Sequence, residues 1–385
     1  MKFQTKGTEL HNVLSTVIKG FNSKEDNSYV AFKLDPEEEK LKITARSRAT
    51  FFEGTVNAHS IEIDKDEPVV YHLDGVKLKQ LVSILPTAPV NVAFEITDET
   101  RSFTIKTMVS KYKLPVLSET PLAPAPEVEE LATVDANDLM KVTKDLIKIV
   151  STDPSAQEHQ ISCMHFNIGE KKTKLSATDS YALGSVTIDS SAINIEDGES
   201  KDMLVRHTEV NTLTKGFAPG ETLTLVGSDD MFGYIDEDGT LALVGLINMT
   251  PLDTSQIEAI TQDDNTVVVD KGELTSAIET VAKLSPNDET VDVILDSDRD
   301  GVRVSNRYGD YIDVNINESK LDSPGTASFA TSVLLKGIVP ANTGPLRLEF
   351  GNLSDGTPGA ARIVSLQADG SDDEGTSLLA TRMDR

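Results

Sequence analysis

A threefold repetition of one pattern of elements constrains the fold of this chain more than any other feature of its sequence. In each third, a short amphipathic helix is followed by β-like runs, a second short helix and more β-like runs. The period of roughly 120 to 135 residues is too long for a solenoid unit and matches a whole domain. The first helices are predicted to start near Leu10, Leu139 and Leu274, and the second helices near Leu78, Val210 and Val333.

The helix of the middle third has the clearest division into two faces. At about 100° per residue, its apolar side chains fall on one side, where they can pack on a sheet. These are Leu139, Val142, Leu146, Ile149 and Val150. Three cations, Lys141, Lys144 and Lys148, fall on the opposite side. The spacing therefore predicts a helix that presents a row of positive charge.

The runs between the helices alternate apolar and polar residues, which is typical of antiparallel sheets with one solvated face. The sequence predicts an α+β fold of three repeated domains, each with two helices packed on antiparallel sheet. Hairpin turns are predicted at Asp238-Gly239 and Asp300-Gly301. A proline-rich linker at 121–126 and a polar, acidic segment, Pro251–Asn265, mark the boundaries. The predicted domains span residues 1–122, 128–250 and 262–385.

The distribution of charge is more informative than its sum. The net charge is −27, which by itself disfavours binding to nucleic acid. The six helix windows (8–24, 73–84, 135–151, 205–216, 270–284 and 331–338) nevertheless hold twelve Lys and Arg against nine Asp and Glu. The helices therefore carry +3 and the rest of the chain −30. A solvated lysine face explains one such helix, but the same bias in six helices favours a shared positive surface.

Catalytic and metal-binding patterns are absent from the sequence. It contains no P-loop, no G-x-S-x-G and no H-E-x-x-H, and its six histidines are scattered. The single cysteine, Cys163, excludes an internal disulfide and is expected to be a small buried hydrophobe. No apolar run is long enough for a membrane helix, and the N-terminus lacks an apolar signal core, so a cytoplasmic location is expected. We expect a non-enzymatic binding protein without a cofactor.

Three segments resemble one protein family, the bacterial and phage DNA polymerase III beta sliding clamps. They are Ser110-Lys-Tyr-Lys-Leu-Pro-Val-Leu, Leu175-Ser-Ala-Thr-Asp-Ser-Tyr-Ala-Leu183 and the closing Leu378-Leu-Ala-Thr-Arg-Met383. The start, Met1-Lys-Phe with Leu10 and Val13, is also similar, and the resemblance covers the whole length. Where the family continues Ala-Thr-Asp with Gly-His-Arg-Leu, this chain has Ser180, Tyr181, Ala182 and Leu183. This departure, with a C-terminus that lacks the usual proline, indicates a diverged member.

The resemblance implies a head-to-tail homodimeric ring whose helices line a hole for duplex DNA, bound without regard to sequence. It also implies tethering of a DNA polymerase and a clamp loader through short linear peptides. The candidate DNA-binding residues are Lys19, Lys24, Lys77, Lys79, Lys141, Lys144, Lys148, Arg206, Lys215 and Lys336.

By position in the family, the peptide groove would be lined by Ile161, Thr178, Leu183, Pro251, Ala361, Leu378, Leu379 and Ala380. These residues could equally be core or strand-end residues. Tyr112 and Leu284 are the candidates for the dimer interface. Lys283 stands where the family often has an aliphatic residue, which predicts a weaker interface or one held by charge pairs.

Two other classes of function stay open from the residues alone. A triplicated β-rich structural or adhesion protein would use three copies of one domain for avidity, although the chain has no Trp and 5% aromatic residues. An enzyme with an unrecognised site would need convergent carboxylates in a cleft.

Overall fold

The computed structural model describes residues 2–63, 70–84, 91–97, 102–107, 110–153, 155, 159–196, 198–216, 221–252, 265–285, 290–295, 301–321, 325–338, 344–350, 361–366 and 376–380. The side chains of residues 91–97 and 376–380 and of some strand ends lie outside this description. So does residue 300, and with it the first residue of the predicted Asp300-Gly301 turn.

Six helices each follow a strand, directly or after one residue, twice in every third of the described chain. They are α1 (Gly7–Val17), α2 (Gly75–Val82), α3 (Ala136–Leu146), α4 (His207–Thr214), α5 (Lys271–Leu284) and α6 (Thr331–Ile338). The predicted first helices begin three residues before the leucines that reveal their periodicity. Aspartates mark several of these starts: Asp74 and Asp270 accept hydrogen bonds from backbone N–H groups of the first turn. Such caps satisfy donors that have no partner within the helix.

The strands follow the same threefold order. The first third holds β1 (Lys2–Lys6), β2 (Tyr29–Asp35), β3 (Lys40–Arg46), β4 (Thr50–Asn57), β5 (His59–Glu62), β6 (Val70–Leu73), β7 (Asn91–Thr97), β8 (Ser102–Lys106) and β9 (Lys111–Ser118). The middle third holds β10 (Glu129–Asp135), β11 (Cys163–Gly169), β12 (Lys172–Thr178), β13 (Ala182–Ala192), β14 (Ser200–Arg206), β15 (Thr222–Gly227), β16 (Met231–Ile235) and β17 (Leu241–Gly245). The last third holds β18 (Asn265–Asp270), β19 (Thr290–Leu295), β20 (Gly301–Ser305), β21 (Tyr311–Leu321), β22 (Gly325–Ala330), β23 (Pro345–Phe350), β24 (Ala361–Ser365) and β25 (Thr376–Ala380).

Neighbouring described strands pair antiparallel, from β1 with β7 to β24 with β25. The predicted α+β class with antiparallel sheet is therefore confirmed. The predicted hairpin turn at Asp238-Gly239 is also present: Gly239 donates its N–H to the Asp236 carbonyl and has a φ of 78°. A positive φ favours glycine at this position. No helix in the described part of the chain is long and apolar enough to cross a membrane.

The chain divides into two compact units. The first comprises Met1–Met140, Ser190–Asp197 and Thr208–Ile247, and the second comprises Lys141–Asp189, Gly198–His207 and Asn248–Arg385. The middle third contributes to both units. The division into three domains at 1–122, 128–250 and 262–385 stays a prediction.

Each unit contains one strand pair that links the sheet of one third to the sheet of the next, and we call such a pair a joint. In the first unit, β4 pairs with β17, so that Phe52 lies opposite Ala242, and both side chains are fully buried. In the second unit, β13 pairs with β25, so that Leu183 lies opposite Leu379. The hydrophobic core of the second unit extends from Val267 and Leu274 to Phe329 and Ile363.

Candidate nucleic-acid interface and peptide groove

The two faces predicted for α3 and the turn after it are confirmed. All five residues of the predicted apolar stripe are buried, whereas Lys141, Lys144 and Lys148 are exposed. Lys148 forms an ion pair of 2.9 Å with Asp145. Because Asp145 neutralises one of the three charges, this surface has a net charge of +2 within the segment 141–148.

Five further cations predicted to bind DNA are also exposed. They are Lys24, Lys77, Lys79, Arg206 and Lys215. Lys77 and Lys79 lie on α2, Arg206 immediately precedes α4, and Lys215 follows its last turn. Lys24 lies in the turn between Gly20 and β2, whereas the other four are on the surface or at the ends of helices.

Lys19 differs because its ammonium group is already bound within the first unit. It lies in the 3-10 turn Ile18–Gly20 after α1, and its Nζ donates a hydrogen bond to the backbone carbonyl of Lys215. Burial and the nearby charge of Lys215 lower the pKa of Lys19. The lysine therefore joins the turn after α1 to the end of α4, and its ammonium group is engaged within the first unit.

Lys336 is likewise engaged, in this case by an acid of the resemblance motif. Its Nζ forms an ion pair with Asp179, the aspartate of the Ala-Thr-Asp segment, whose side chain is 9% exposed. This ion pair ties α6 to the turn between β12 and β13. Lys336 stays a predicted DNA-binding residue, but its observed contact is structural.

The sequence analysis left two helix cations out of its candidate list, and one of them, Lys271, lies beside the α3 lysines. Lys271, the first residue of α5, is partly buried near Lys141, Lys148 and Asp145; burial, and then the two lysines, lower its pKa against the opposing effect of Asp145. Lys283 occupies the thirteenth position counted from the start of its helix, as Lys19 and Lys148 do. The shared helix position of Lys283 can be predicted from the sequence repeat. The proximity of Lys271 to α3 cannot, because it depends on how the chain folds.

The groove residues of the second unit come together on four adjacent strands. Thr178 of β12 lies opposite Leu183 of β13, and Leu183 lies opposite Leu379 of β25. Ala380 of β25 lies between Ala182 and Ala361 of β24. The backbone thus places Leu378, Leu379 and Ala380 beside Leu183, although the side chain of Ala361 packs into the core.

A small cavity of about 20 Å³, partly open to solvent, lies next to these strands. Thr178 and Leu183 line it together with residues that sequence reasoning did not select. These are Gln160, Cys163, His165, Ser176, Ala177, Leu204 and Leu252. Ile161 and Pro251 adjoin two of these residues, and Gln160 Nε2 donates a hydrogen bond of 2.7 Å to the Thr250 carbonyl. Cys163 is buried, as expected.

The turn between β12 and β13 is held by the Asp179 side chain. Its Oδ1 accepts hydrogen bonds from the backbone N–H groups of Tyr181 (3.0 Å) and Ala182 (2.8 Å). Ser180 has a φ of 79°, and the Tyr181 side chain is 63% exposed. The departure from the family pattern thus places an exposed aromatic ring beside the groove strands.

The two candidates for the dimer interface are accessible. Tyr112 on β9 is half-buried, and Leu284, the last residue of α5, is 59% exposed. In the first unit, Gly20 occupies the position equivalent to Leu284, and a Cβ at Gly20 would lie 2.7 Å from the Phe52 ring. In the second unit the equivalent residue, Ile149, is fully buried. Leu284 is therefore exposed where its two counterparts are covered.

An acidic cluster lies at one end of β15, β16 and β17, next to the start of α3, where the Glu221 carbonyl accepts a hydrogen bond of 3.0 Å from the Ala136 N–H. Glu221 is half-buried, and burial followed by the charges of Asp236, Asp238 and Glu237 raises its pKa. Burial also raises the pKa of Asp236. Among the described residues, no group of three or more His, Cys, Asp or Glu is arranged to hold a metal ion.

Comparison with known proteins identifies the fold. No protein-family model and no curated protein sequence matches the chain. Solved structures match it over its full length: the DNA polymerase sliding clamp from Bacillus subtilis, at 16% identity and a TM-score of 0.82, with 99% of that chain covered. The beta subunit of DNA polymerase from Streptococcus pyogenes matches at 15% identity and a TM-score of 0.81, with 100% of that chain covered. The DNA polymerase III beta subunit from Thermotoga maritima matches at 15% identity and a TM-score of 0.79, with 99% of that chain covered. The chain has the fold of the bacterial sliding clamps.

Proposed function

We propose that this protein is a DNA sliding clamp, a non-catalytic subunit that encircles duplex DNA and tethers a polymerase to it. The observation that carries the proposal is the row of exposed lysines on α3 and the turn after it, in a chain with a net charge of −27 and the fold of the clamps. The full-length likeness to clamps disfavours the alternative of a triplicated adhesion protein.

Weak attraction to phosphates suits such a role. A closed ring is retained by topology, and contacts that do not depend on sequence allow it to slide. Charges on an outer surface lie beyond the screening length of about 8 Å at physiological salt, so they repel DNA in the hole only weakly. The lysines of α3, with Lys271 beside them, would supply the attraction.

The two joints within one chain link its three thirds in a row and leave the outer edges of the first and last thirds unjoined. A closed ring therefore requires further joints between copies. Among the described residues, Lys111–Leu114 of β9 and Tyr311–Val314 of β21 each pair with one strand, β8 and β20 respectively. The counterparts of β9 in the other thirds are β17 and β25, and the counterparts of β21 are β4 and β13. Each of these four strands pairs with a neighbouring strand on both sides. We propose a head-to-tail homodimer in which these two free edges meet, close to Tyr112 and Leu284.

The proposed partner site is the groove beside β13 and β25, with short linear peptides of the polymerase and the clamp loader as ligands. Leu252 lines the cavity and is 38% exposed, so an apolar anchor of a peptide can reach it. Leu252→Glu should abolish the binding of a fluorescent peptide that carries a bacterial clamp motif. Tyr308→Glu, an exposed aromatic position elsewhere in the second unit, is the matched control. Undiminished binding by Leu252→Glu would remove the groove from the proposal.

Retention on closed DNA tests the clamp function directly. Diluted protein is mixed with nicked circular duplex, concentrated to close the rings, separated by gel filtration, and then treated with a restriction enzyme. Wild-type protein should elute with the circle and be released when the circle is cut. Equal retention on circular and linear DNA, or none on either, would refute the proposal.

The lysine row is tested by the variant Lys141→Glu/Lys144→Glu/Lys148→Glu. We expect a loss of retention of about tenfold or more, because three phosphate contacts become repulsions. The matched control is Lys171→Glu/Lys172→Glu/Lys201→Glu, which changes the net charge equally at exposed positions of the same unit. If both variants lose retention to the same degree, the α3 surface has no special role.

A further inference from the structure

The strand ladders of the second unit carry one row of residues from the groove strands onto the sheet of the last third. Thr178 of β12 lies opposite Leu183 of β13, which lies opposite Leu379 of β25. Leu379 lies opposite Arg362 of β24, and Arg362 lies opposite Glu349 of β23. Residues directly opposite each other lie on the same face of a sheet. Arg362 is therefore the first charged position that this row reaches from the groove.

The row lies on the face of the sheet that is turned away from the helices. Ala361 and Ile363, the chain neighbours of Arg362, are buried in the hydrophobic core of the second unit. Successive side chains of a strand alternate between the two faces, so Arg362 lies on the other face, where Leu183 lines the cavity. The Arg362 side chain is 45% exposed. A solvent-accessible guanidinium thus lies on the groove side of the sheet.

The charge of Arg362 is not cancelled by the neighbouring carboxylate. Glu349 is buried, and its Oε1 accepts a hydrogen bond of 2.7 Å from Arg347 Nε. Arg362 Nη1 lies 3.6 Å from the other oxygen, Oε2, which is longer than a hydrogen bond. Because Arg347 already supplies the cation that a buried carboxylate needs, these three residues together carry +1. This local charge lies on a chain with a net charge of −27.

We propose that Arg362 is an anion-binding subsite of the partner groove and binds the Asp or Glu side chain of a docked peptide. This inference rests on the proposed peptide groove and adds one chemical requirement for its ligand. A guanidinium presents its N–H groups in a planar fork that matches the two oxygens of a carboxylate. Arg362 has a single ion pair among the described residues, at 3.6 Å, so N–H groups remain for a ligand.

The geometry of the sheet sets the spacing that the peptide must have. Neighbouring strands are about 4.8 Å apart, so β24 lies about 10 Å from β13 across β25. An extended peptide advances about 3.3 Å per residue. A peptide that crosses the strands with an apolar residue over Leu183 therefore places its third residue from that point over Arg362. The acidic residue can precede or follow the apolar one, depending on the direction of the peptide.

The overall charge of the protein predicts the opposite preference. A chain of charge −27 repels acidic peptides and attracts basic ones at long range. A gain in affinity from one carboxylate, at one position of the peptide, therefore requires a local cation such as Arg362. This opposition separates a specific subsite from general electrostatics.

Two pairs of fluorescent peptides test the subsite, each with a bacterial clamp motif and a C-terminal amide. One pair carries Asp or Asn at the third residue before the first apolar residue of the motif, and the other at the third residue after the last. In one pair we expect wild-type protein to bind the Asp peptide about fivefold more tightly, measured by fluorescence anisotropy. Arg362→Gln should reduce this ratio to about one and leave the affinity for the Asn peptide unchanged. The control Lys172→Gln, which removes an exposed charge at the other end of β12, should keep the ratio.

The outcomes separate this inference from the proposed groove. A wild type that binds none of the four peptides overturns both. Equal binding of Asp and Asn peptides in both pairs overturns the subsite alone, and this comparison does not depend on the folding of any variant. A preference that Arg362→Gln retains, or that Lys172→Gln abolishes, also overturns the subsite.

A fifth peptide distinguishes an acidic side chain from a chain terminus as the ligand. It carries Asn at the third residue after the last apolar residue of the motif and ends there with a free carboxylate. We expect it to bind no more tightly than the amidated Asn peptide. Binding as tight as that of the Asp peptide would overturn the assignment to a side chain.

Discussion

Replacing Lys336 by Met should destabilise the second unit and leave retention on DNA nearly unchanged. The substitution removes the charge of this α6 residue and keeps most of its aliphatic stem. Asp179, whose side chain is 9% exposed, would lose its ion-pair partner. A carboxylate that is buried without its ion-pair partner lowers the stability of the fold, because its hydration is lost and no attraction to a cation replaces it.

The expected loss of stability depends on the hydrogen bonds that the Asp179 carboxylate keeps. Removing one partner of a fully buried pair costs about 3–5 kcal/mol. Here Lys336 is one-third exposed, and the carboxylate retains the N–H groups of Tyr181 and Ala182. We therefore expect a loss of about 2 kcal/mol, or about 4–8 °C in Tm for a unit of this size. The double variant Lys336→Met/Asp179→Asn should be little less stable than Lys336→Met alone, because the amide oxygen of the new side chain can still accept hydrogen bonds from both N–H groups.

Chemical denaturation of the four proteins of this double-mutant cycle measures the coupling directly. Lys283→Met is the matched control, since its exposed pair with Glu279 spans 3.6 Å and contributes under about 0.5 kcal/mol. A coupling energy near zero between positions 179 and 336 would refute the reasoning. A large loss of DNA retention by Lys336→Met with unchanged stability would instead return Lys336 to the DNA-binding surface.

Three further substitutions test the packing and the charges of the first unit. Gly233→Ala should destabilise it by several kcal/mol or prevent folding, because the new Cβ would lie 1.8 Å from the Ala242 carbonyl oxygen; a soluble variant with the wild-type melting curve contradicts this. Phe52→Ala should cost about 3–5 kcal/mol, measured by denaturation, because the ring is fully buried in the joint. Glu221→Gln should stabilise the protein at neutral pH. Because the pKa of Glu221 is raised in the folded protein, ionisation of this group costs the wild type stability as the pH rises above about 4.5. The variant has no carboxyl group at this position, so its stability should fall less over the same pH range. Equal pH profiles of Tm would refute that assignment.

The repeat and the helix faces could be predicted from the sequence because both depend on local spacing. The five buried residues of the α3 stripe follow from a period of 3.6 residues, and the helix starts follow from aspartates such as Asp270. Antiparallel pairing followed from alternation of apolar and polar residues. These features need no knowledge of distant contacts.

The contacts of individual site residues could not be predicted in this way. Lys336 and Asp179 are 157 positions apart in the chain, and no local pattern couples them. Lys271 likewise meets the α3 lysines only through folding. The groove positions were carried over from a resemblance, and the strand pairing brings Leu183 and Leu379 together, but it also turns Ala361 into the core. Periodicity specifies faces, whereas tertiary pairing decides which charges remain available.

The two joints that lie within one polypeptide have a kinetic consequence for the proposed assembly. Both are formed by strands of the same molecule, so dilution cannot separate them, and they reform at a high effective concentration. The joint between copies obeys mass action, so its population depends on the cellular concentration of the protein. Any machine that passes DNA into the assembly therefore has to open one of the two joints between copies, and opening would begin there.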